Sequence, residues 1–135
     1  MKTILVGTDT SAAADLAVQD AARLARDQGA ELLVLYVKPG SDLKTVVDPD
    51  RSADPAGYLA KIAGRFPDVS IRTRTETGDP AVLICDVAAD ESADTIVVGN
   101  RGTHGSKWRV RDSVPTLVLR HSPCSVFIVD TRRAQ

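Results

Sequence analysis

The sequence is poor in the residues that several functional classes require. Aromatic residues make up 4% of the 135 residues, which argues against a base-stacking surface for single-stranded nucleic acid. The net charge is −1, from 17 basic and 18 acidic side chains, so no general attraction to nucleic acid or anionic membrane is expected. No apolar run approaches the roughly 20 residues that span a bilayer. The chain also starts without a signal peptide, and we expect a cytoplasmic protein.

Metal ligands and activated nucleophiles are equally scarce. The cysteines and histidines are Cys85, His104, His121 and Cys124, and their spacing does not match a four-ligand zinc site. We interpret the cysteines as small, reduced, apolar side chains. The sequence contains no Gly-x-Ser-x-Gly elbow and no P-loop signature, and no nucleophile is paired with a base. These absences favour binding over catalysis, with no metal site.

Short apolar runs alternate with helical patterns along the chain. Continuous runs indicate strands buried on both faces, whereas the alternating segment 69–75 indicates a half-exposed edge strand. We expect Gly29 to end the first helix, and Asp79 and Ser113 to cap the starts of two later helices. The continuous strands are predicted at 4–6, 32–37, 95–98 and 126–129, and the helices at 12–28, 56–65, 80–91 and 114–120.

This alternation predicts an α/β fold of parallel βαβ units, with helices on both faces of the sheet, in a single domain over residues 1–135. In the helix 80–91 we expect Val82, Leu83 and Val87 to face the core. Residues 39–55 contain three prolines and several aspartates, and we predict a mobile surface loop there.

Ligands of open α/β sheets bind beyond the carboxyl ends of the strands. Three segments follow such ends, namely residues 7–11, 37–38 and 99–102. The last opens a glycine-bearing loop that leads to a helix starting at Ser113. Glycines let amides approach a phosphate, and a helix N-terminus favours an anion. The loop adds positive charge from Arg101, Lys107, Arg109 and Arg111. The pattern predicts anion binding, with a solvated turn as the alternative.

Four stretches together resemble the universal stress protein family. Residues 4–11, Ile-Leu-Val-Gly-Thr-Asp-Thr-Ser, are similar to its opening strand, which usually continues Val-Asp-Gly-Ser. Gly78-Asp79-Pro80 resembles its Gly-x-Pro turn. Residues 93–102 resemble its fourth strand and first loop glycines, and residues 119–126 resemble the stretch before its last strand. The resemblance covers essentially the whole chain.

The resemblance implies an open five-stranded parallel sheet of order 3-2-1-4-5, a Rossmann-like, adenine nucleotide alpha hydrolase-like architecture. It implies a stress-response protein that binds ATP or another adenine nucleotide, with Mg²⁺ as a possible companion, and whose ATP hydrolysis is at most slow and incidental. Asp9 would contact the ribose or base, and Gly7, Val37 and Val98 would line the adenine and sugar pocket. The phosphate-binding positions that the resemblance implies are Gly99, Arg101, Gly102, Asp112, Ser113 and Val114.

Those positions also have simpler interpretations, and one departs from the family's pattern. Asp9 and Ser113 can serve as helix N-caps, and Val37 and Val98 can be core residues. Nucleotide-binding members carry a glycine where this chain has Asp112, whose carboxylate repels phosphates. Two alternatives to ATP binding therefore stay open: an interaction module without nucleotide, and a cyclic AMP binder, whose single phosphate needs fewer amides.

The last predicted strand, Ser125–Val129, carries no internal charge or proline. An unguarded apolar edge strand is a template for pairing with another chain. We therefore expect a homodimer formed through this strand, which the resemblance also implies.

Overall fold

The computed structural model describes residues 2–38, 54–100 and 113–131, and strands and helices alternate strictly within them. The predicted loop 39–55 therefore lies almost entirely outside the described residues. The strands are β1 (Thr3–Thr8), β2 (Glu31–Lys38), β3 (Ile71–Thr77), β4 (Thr95–Gly99) and β5 (Ser125–Val129). The helices are α1 (Ala12–Gln28), α2 (Pro55–Arg65), α3 (Pro80–Asp90) and α4 (Val114–His121).

The strands form one parallel sheet of order β3-β2-β1-β4-β5, which confirms the expected fold class and strand order. The chain adds strands on one side of β1 and then crosses to the other side, so the order reverses between β1 and β4. Such a reversal leaves a crevice where the two strands end, because their connections leave on opposite faces of the sheet.

Each face of the sheet is covered by two helices and holds its own apolar cluster. The first, here the α1/α2-side cluster, includes Ile4 and Val6 of β1 with Val18 of α1 and Ile62 of α2. The second, the α3/α4-side cluster, includes Leu5 of β1 with residues of α3 and α4. Strands 1 and 2 are therefore buried on both sides, as their continuous apolar runs predicted.

Local signals explain where the helices begin and end. Gly29 ends α1 in the left-handed conformation, with φ 63°. Asp79 caps α3, since its carboxylate accepts the N–H of Val82 at 3.1 Å, and a proline follows as the first helical residue. No described helix is long and apolar enough to span a membrane.

One detail of the sequence prediction was wrong. Val82 is 56% exposed, whereas Val87 is buried as expected and Ala81 and Ile84 complete the inward face of α3. Strand β3 lies at the edge of the sheet and is partly exposed, as its alternating sequence predicted. Thr73 and Thr75 line a cavity of about 470 Å³ beside Leu59.

Candidate functional site

The carboxyl ends of β1, β2 and β4 meet at one edge of the sheet. Gly7 of β1 pairs with Leu35 of β2, and Val6 pairs with Val97 of β4. Adjacent strands lie about 4.8 Å apart, so the residues that follow β1 and β4 are neighbours. Helices α1 and α4 begin at this edge, so the positive ends of two helix dipoles lie beside the crevice.

The turn after β1 is held by its own side chains. The carboxylate of half-buried Asp9 accepts the N–H of Ser11 at 2.9 Å, and the hydroxyl of Thr8 accepts the N–H of Thr10 at 2.9 Å. Ser11 is the N-cap of α1, because its hydroxyl accepts the N–H of Ala14 at 3.1 Å. The alternative in which Asp9 is that cap was therefore wrong.

Gly7, Val37 and Val98 share the α3/α4 side of the sheet, where their surroundings are apolar. The two valines are 7% and 3% exposed and belong to the α3/α4-side cluster. A Cβ on Gly7 would lie 2.9 Å from Cδ1 of Ile84, so this isoleucine fills the space above the glycine. Val37 and Val98 are therefore core residues, as their simpler interpretation predicted, and Gly7 packs on the same side of the sheet.

The end of β4 is fixed by the end of β5. The N–H of Asn100 donates to the carbonyl of Val129 at 2.9 Å, and its side-chain oxygen accepts the N–H and hydroxyl of Thr131 at 3.0 and 3.2 Å. A Cβ on Gly99 would lie 2.7 Å from Cγ2 of Thr131, so glycine is required there by close packing. The sequence did not point to the hydrogen bonds between Asn100 and Thr131, because these residues are 31 positions apart.

The first turn of α4 offers few amides to a ligand. Ser113 is its N-cap, and its hydroxyl accepts the N–H of Thr116 at 3.3 Å, which confirms the predicted cap. Pro115 has no N–H, so the amide of Val114 is the donor that this turn can present. Val114 also packs against the α3/α4-side cluster, which ties the start of α4 to Val98 and its neighbours.

Three predicted site residues, Arg101, Gly102 and Asp112, lie outside the described residues, as do the other basic residues of that loop. The described part of the chain contains no cluster of three metal-ligating side chains. Cys85 and Cys124 are half-buried free thiols, and burial raises the pKa of Cys85. Sequence reasoning also missed the role of the Thr8 hydroxyl in the turn after β1, although threonines on both sides of Asp9 were visible.

Residues 1–130 match the model of the universal stress protein family. A universal stress protein of Synechocystis sp. is 34% identical over 134 residues, which cover 95% of this chain and 85% of that protein.

Solved structures agree with this match. A universal stress protein in complex with cAMP is similar, with a TM-score of 0.79 and 27% identity over 96% of this chain and 97% of that one. The universal stress protein UspA from Lactobacillus plantarum has a TM-score of 0.73 and 27% identity, covering 95% of this chain and 97% of its own.

Proposed function

Because the chain belongs to the universal stress protein family, we propose that it is a stress-responsive regulatory protein that binds an adenine nucleotide where β1 and β4 end. We propose that residues 1–135 act as one domain, and that the protein works by binding, with any ATP hydrolysis slow and incidental. The observation that supports the proposal is that β1 and β4 end side by side where the strand order reverses, next to the N-termini of α1 and α4.

Each part of the crevice suits a different part of a nucleotide. The carboxylate of Asp9 is half-buried and can accept hydrogen bonds from ribose hydroxyls or the adenine amino group. Gly7, Val37 and Val98, on the apolar side of the sheet at this edge, would lie beneath the base and sugar. The amides of Gly99, Gly102 and Val114, with the Ser113 hydroxyl and the Arg101 guanidinium, would bind the phosphates. A bound Mg²⁺ would supply further neutralisation of phosphate charge.

Cyclic AMP is a specific second candidate for the ligand. The first turn of α4 can present one amide, and Asp112 brings a negative charge where a triphosphate would need neutralisation. A single phosphate needs fewer donors than three. The similar universal stress protein with the TM-score of 0.79 is itself in complex with cAMP. If no nucleotide binds, the remaining alternative is a protein interaction module.

Calorimetric titration of the purified protein with MgATP, AMP and cyclic AMP tests these alternatives, after any co-purified small molecule has been released and identified. Micromolar binding of MgATP supports the leading proposal, and binding of cyclic AMP alone supports the second. Asp112→Gly should strengthen MgATP binding and leave cyclic AMP binding little changed, because it removes a negative charge that would repel the additional phosphates of ATP. No binding of any of the three would refute the nucleotide proposal.

Asp9→Asn is the sharper test of the site. Asparagine keeps an oxygen that can accept the N–H of Ser11, so the turn survives, while the negative charge disappears. We expect nucleotide affinity to fall about tenfold, as for loss of a charge-assisted hydrogen bond. Asp68→Asn is the matched control, since Asp68 forms an exposed ion pair with Arg26 away from the crevice. Equal affinities of Asp9→Asn and the wild type would remove Asp9 from the site.

We further propose a homodimer formed through β5. This strand pairs with β4 and forms one edge of the described sheet, and it carries exposed Phe127 and Ile128, 45% and 38% accessible. Such an edge can bind a second chain. Light scattering of the wild type should report twice the chain mass of 14.4 kDa. Val82→Lys is the control, because it changes an exposed apolar residue of α3 rather than of β5, and it should give the same doubled mass. Light scattering should report 14.4 kDa for Ile128→Lys, and a monomeric wild type would refute the dimer.

A further inference from the structure

The end of β4 is held by only one of its two neighbouring strands. Among the described strands, the pairing of β1 with β4 ends at Val6 and Val97, whereas the pairing of β4 with β5 continues to Gly99 and Val129. The last two residues of β4 therefore lie beyond the ladder with β1, on the side where the crevice opens. The position of Gly99, the first residue of the proposed phosphate site, consequently depends on β5.

Asn100 completes the ladder with β5 through its own side chain. Its N–H donates to the carbonyl of Val129 at 2.9 Å, as in a regular parallel pair. If the ladder continued, the backbone carbonyl of Asn100 would accept the next N–H of the neighbouring chain, that of Thr131. The side-chain Oδ1 of Asn100 accepts that N–H instead, at 3.0 Å. The backbone of Asn100 is thereby released from β5, and the chain bends at this residue.

Thr131 contacts Asn100 and Gly99 at the same time. Its hydroxyl also donates to Oδ1 of Asn100, at 3.2 Å, so two donors fix the orientation of this side-chain amide. Thr131 is 1% exposed, and its N–H would lose free energy without an acceptor. Its Cγ2 lies so close to Gly99 that an added Cβ would approach it to 2.7 Å. We call these three residues, Gly99, Asn100 and Thr131, the β4–β5 contact.

We propose that Asn100 and Thr131 are positioning residues for the nucleotide site, because their hydrogen bonds fix the backbone of Gly99 where the crevice opens. The proposal rests on the proposed function, in which the amide of Gly99 binds a phosphate. The two side chains act through the backbone and do not touch the nucleotide. A residue that follows β5 therefore controls how well β4 presents its end to a phosphate.

Asn100→Ala and Thr131→Val test the proposal. The first removes the shared acceptor, and the second removes the hydroxyl donor while keeping the shape of the side chain. In both variants the affinity for MgATP should fall about tenfold, as for the misalignment of one hydrogen bond. The affinity for adenosine, which has no phosphate, should change little. A general loss of stability would weaken both ligands equally. If the wild type binds cyclic AMP rather than MgATP, cyclic AMP is the phosphate-bearing ligand in the comparison.

Two control variants separate positioning from stability. Thr131→Ser keeps the hydroxyl and both hydrogen bonds but loses a buried methyl group, so it should lower stability and leave the preference for MgATP over adenosine unchanged. Thr77→Val makes the same substitution as Thr131→Val at the end of β3, on an exposed side chain at the other edge of the sheet. It should change neither affinity.

Amide hydrogen exchange tests the structural half of the proposal without any ligand. The N–H of Asn100 and its acceptor on Val129 are both intact in Thr131→Val. Exchange at Asn100 should nevertheless speed up about tenfold if Thr131 holds the end of β4. Unchanged exchange there overturns the proposal, whether or not a nucleotide binds.

The binding results separate this proposal from the proposed function. If the wild type prefers the phosphate-bearing ligand and both Asn100→Ala and Thr131→Val keep that preference, the positioning role is overturned while the proposed function stands. If the wild type binds neither adenosine nor a phosphate-bearing ligand, the proposed function is overturned, and the positioning role falls with it.

Discussion

The close contact between Gly99 and Thr131 gives a quantitative test of how the end of β4 is packed. Alanine at position 99 would place a Cβ 2.7 Å from Cγ2 of Thr131, well inside the contact distance of about 3.5–4.0 Å. Thr131 cannot easily rotate away, because it is 1% exposed and its hydroxyl donates to Asn100. We expect Gly99→Ala to lower the free energy of unfolding by about 1–3 kcal/mol, which is typical of overpacking.

Thr131→Ser is the matched rescue variant, since it removes Cγ2 and keeps the hydroxyl. By itself it should cost about 0.8 kcal/mol for one buried methyl group. In the double variant the new Cβ occupies the vacated volume, so the total cost should fall close to that of Thr131→Ser alone. The resulting coupling energy should equal the relieved cost of Gly99→Ala, about 1–3 kcal/mol, within the range seen for residues in contact.

Urea unfolding, followed by circular dichroism, gives the free energy of unfolding of all four proteins. Equal dependence of that free energy on urea concentration would show that the unfolded states are comparable. Gly64→Ala is a control, because nothing lies within 4 Å of its added Cβ on α2. It should stabilise the protein by about 0.5–1 kcal/mol, the helix preference for alanine over glycine. If the costs of Gly99→Ala and Thr131→Ser add to within about 0.5 kcal/mol, the steric reasoning is refuted.

Three further predictions follow from other contacts. Gly7→Ala should destabilise the protein, and Ile84→Val should relieve part of that cost by removing Cδ1, 2.9 Å from the added Cβ; additive costs in urea unfolding would contradict this. Ser11→Ala should cost about 1–2 kcal/mol and Ser11→Gly only a few tenths; equal costs would argue against its capping role. The folded-state pKa of Asp15 is lowered, so its contribution is present above the ordinary value of about 3.9 and lost as pH falls through the lower folded value. The free energy of unfolding, measured from pH 7 to 3, should therefore fall more steeply for the wild type than for Asp15→Asn. Parallel curves for the two proteins would contradict the pairing of an ionised Asp15.

Much of the fold is predictable because its signals are local. The continuous apolar run from Leu32 to Leu35 is fully buried, as both faces of a parallel strand require. The caps at Gly29, Asp79 and Ser113 all depend on residues within one turn of the helix end. The phase of α3 could not be predicted as well, since its almost entirely apolar sequence leaves Val82 and Ile84 equally plausible on the inner face.

The candidate site likewise contains features that the local sequence predicts and features that it does not. The turn at Asp9 and the cap at Ser113 lie in short segments whose chemistry is visible in the sequence. Other contacts near this edge join distant parts of the chain: Thr131 donates to Asn100 across 31 positions, and Tyr58 donates to Asp15 across 43. No local pattern predicts such contacts, because they depend on how the sheet and helices pack.

The two threonines beside Asp9 show how such contacts change the interpretation of a motif. Glycine at position 10 would adopt φ +71° at little cost, whereas threonine there needs support, and the hydroxyl of Thr8 supplies it. The two residues should therefore depend on each other. Thr8→Val, nearly isosteric but without the acceptor, should lower the free energy of unfolding more in the wild type than in a Thr10→Gly background, where the turn can relax. Urea unfolding of the four proteins measures this difference, which should exceed about 0.5 kcal/mol. Equal costs in the two backgrounds would mean that the Thr8 hydroxyl does not hold Thr10 in its left-handed conformation.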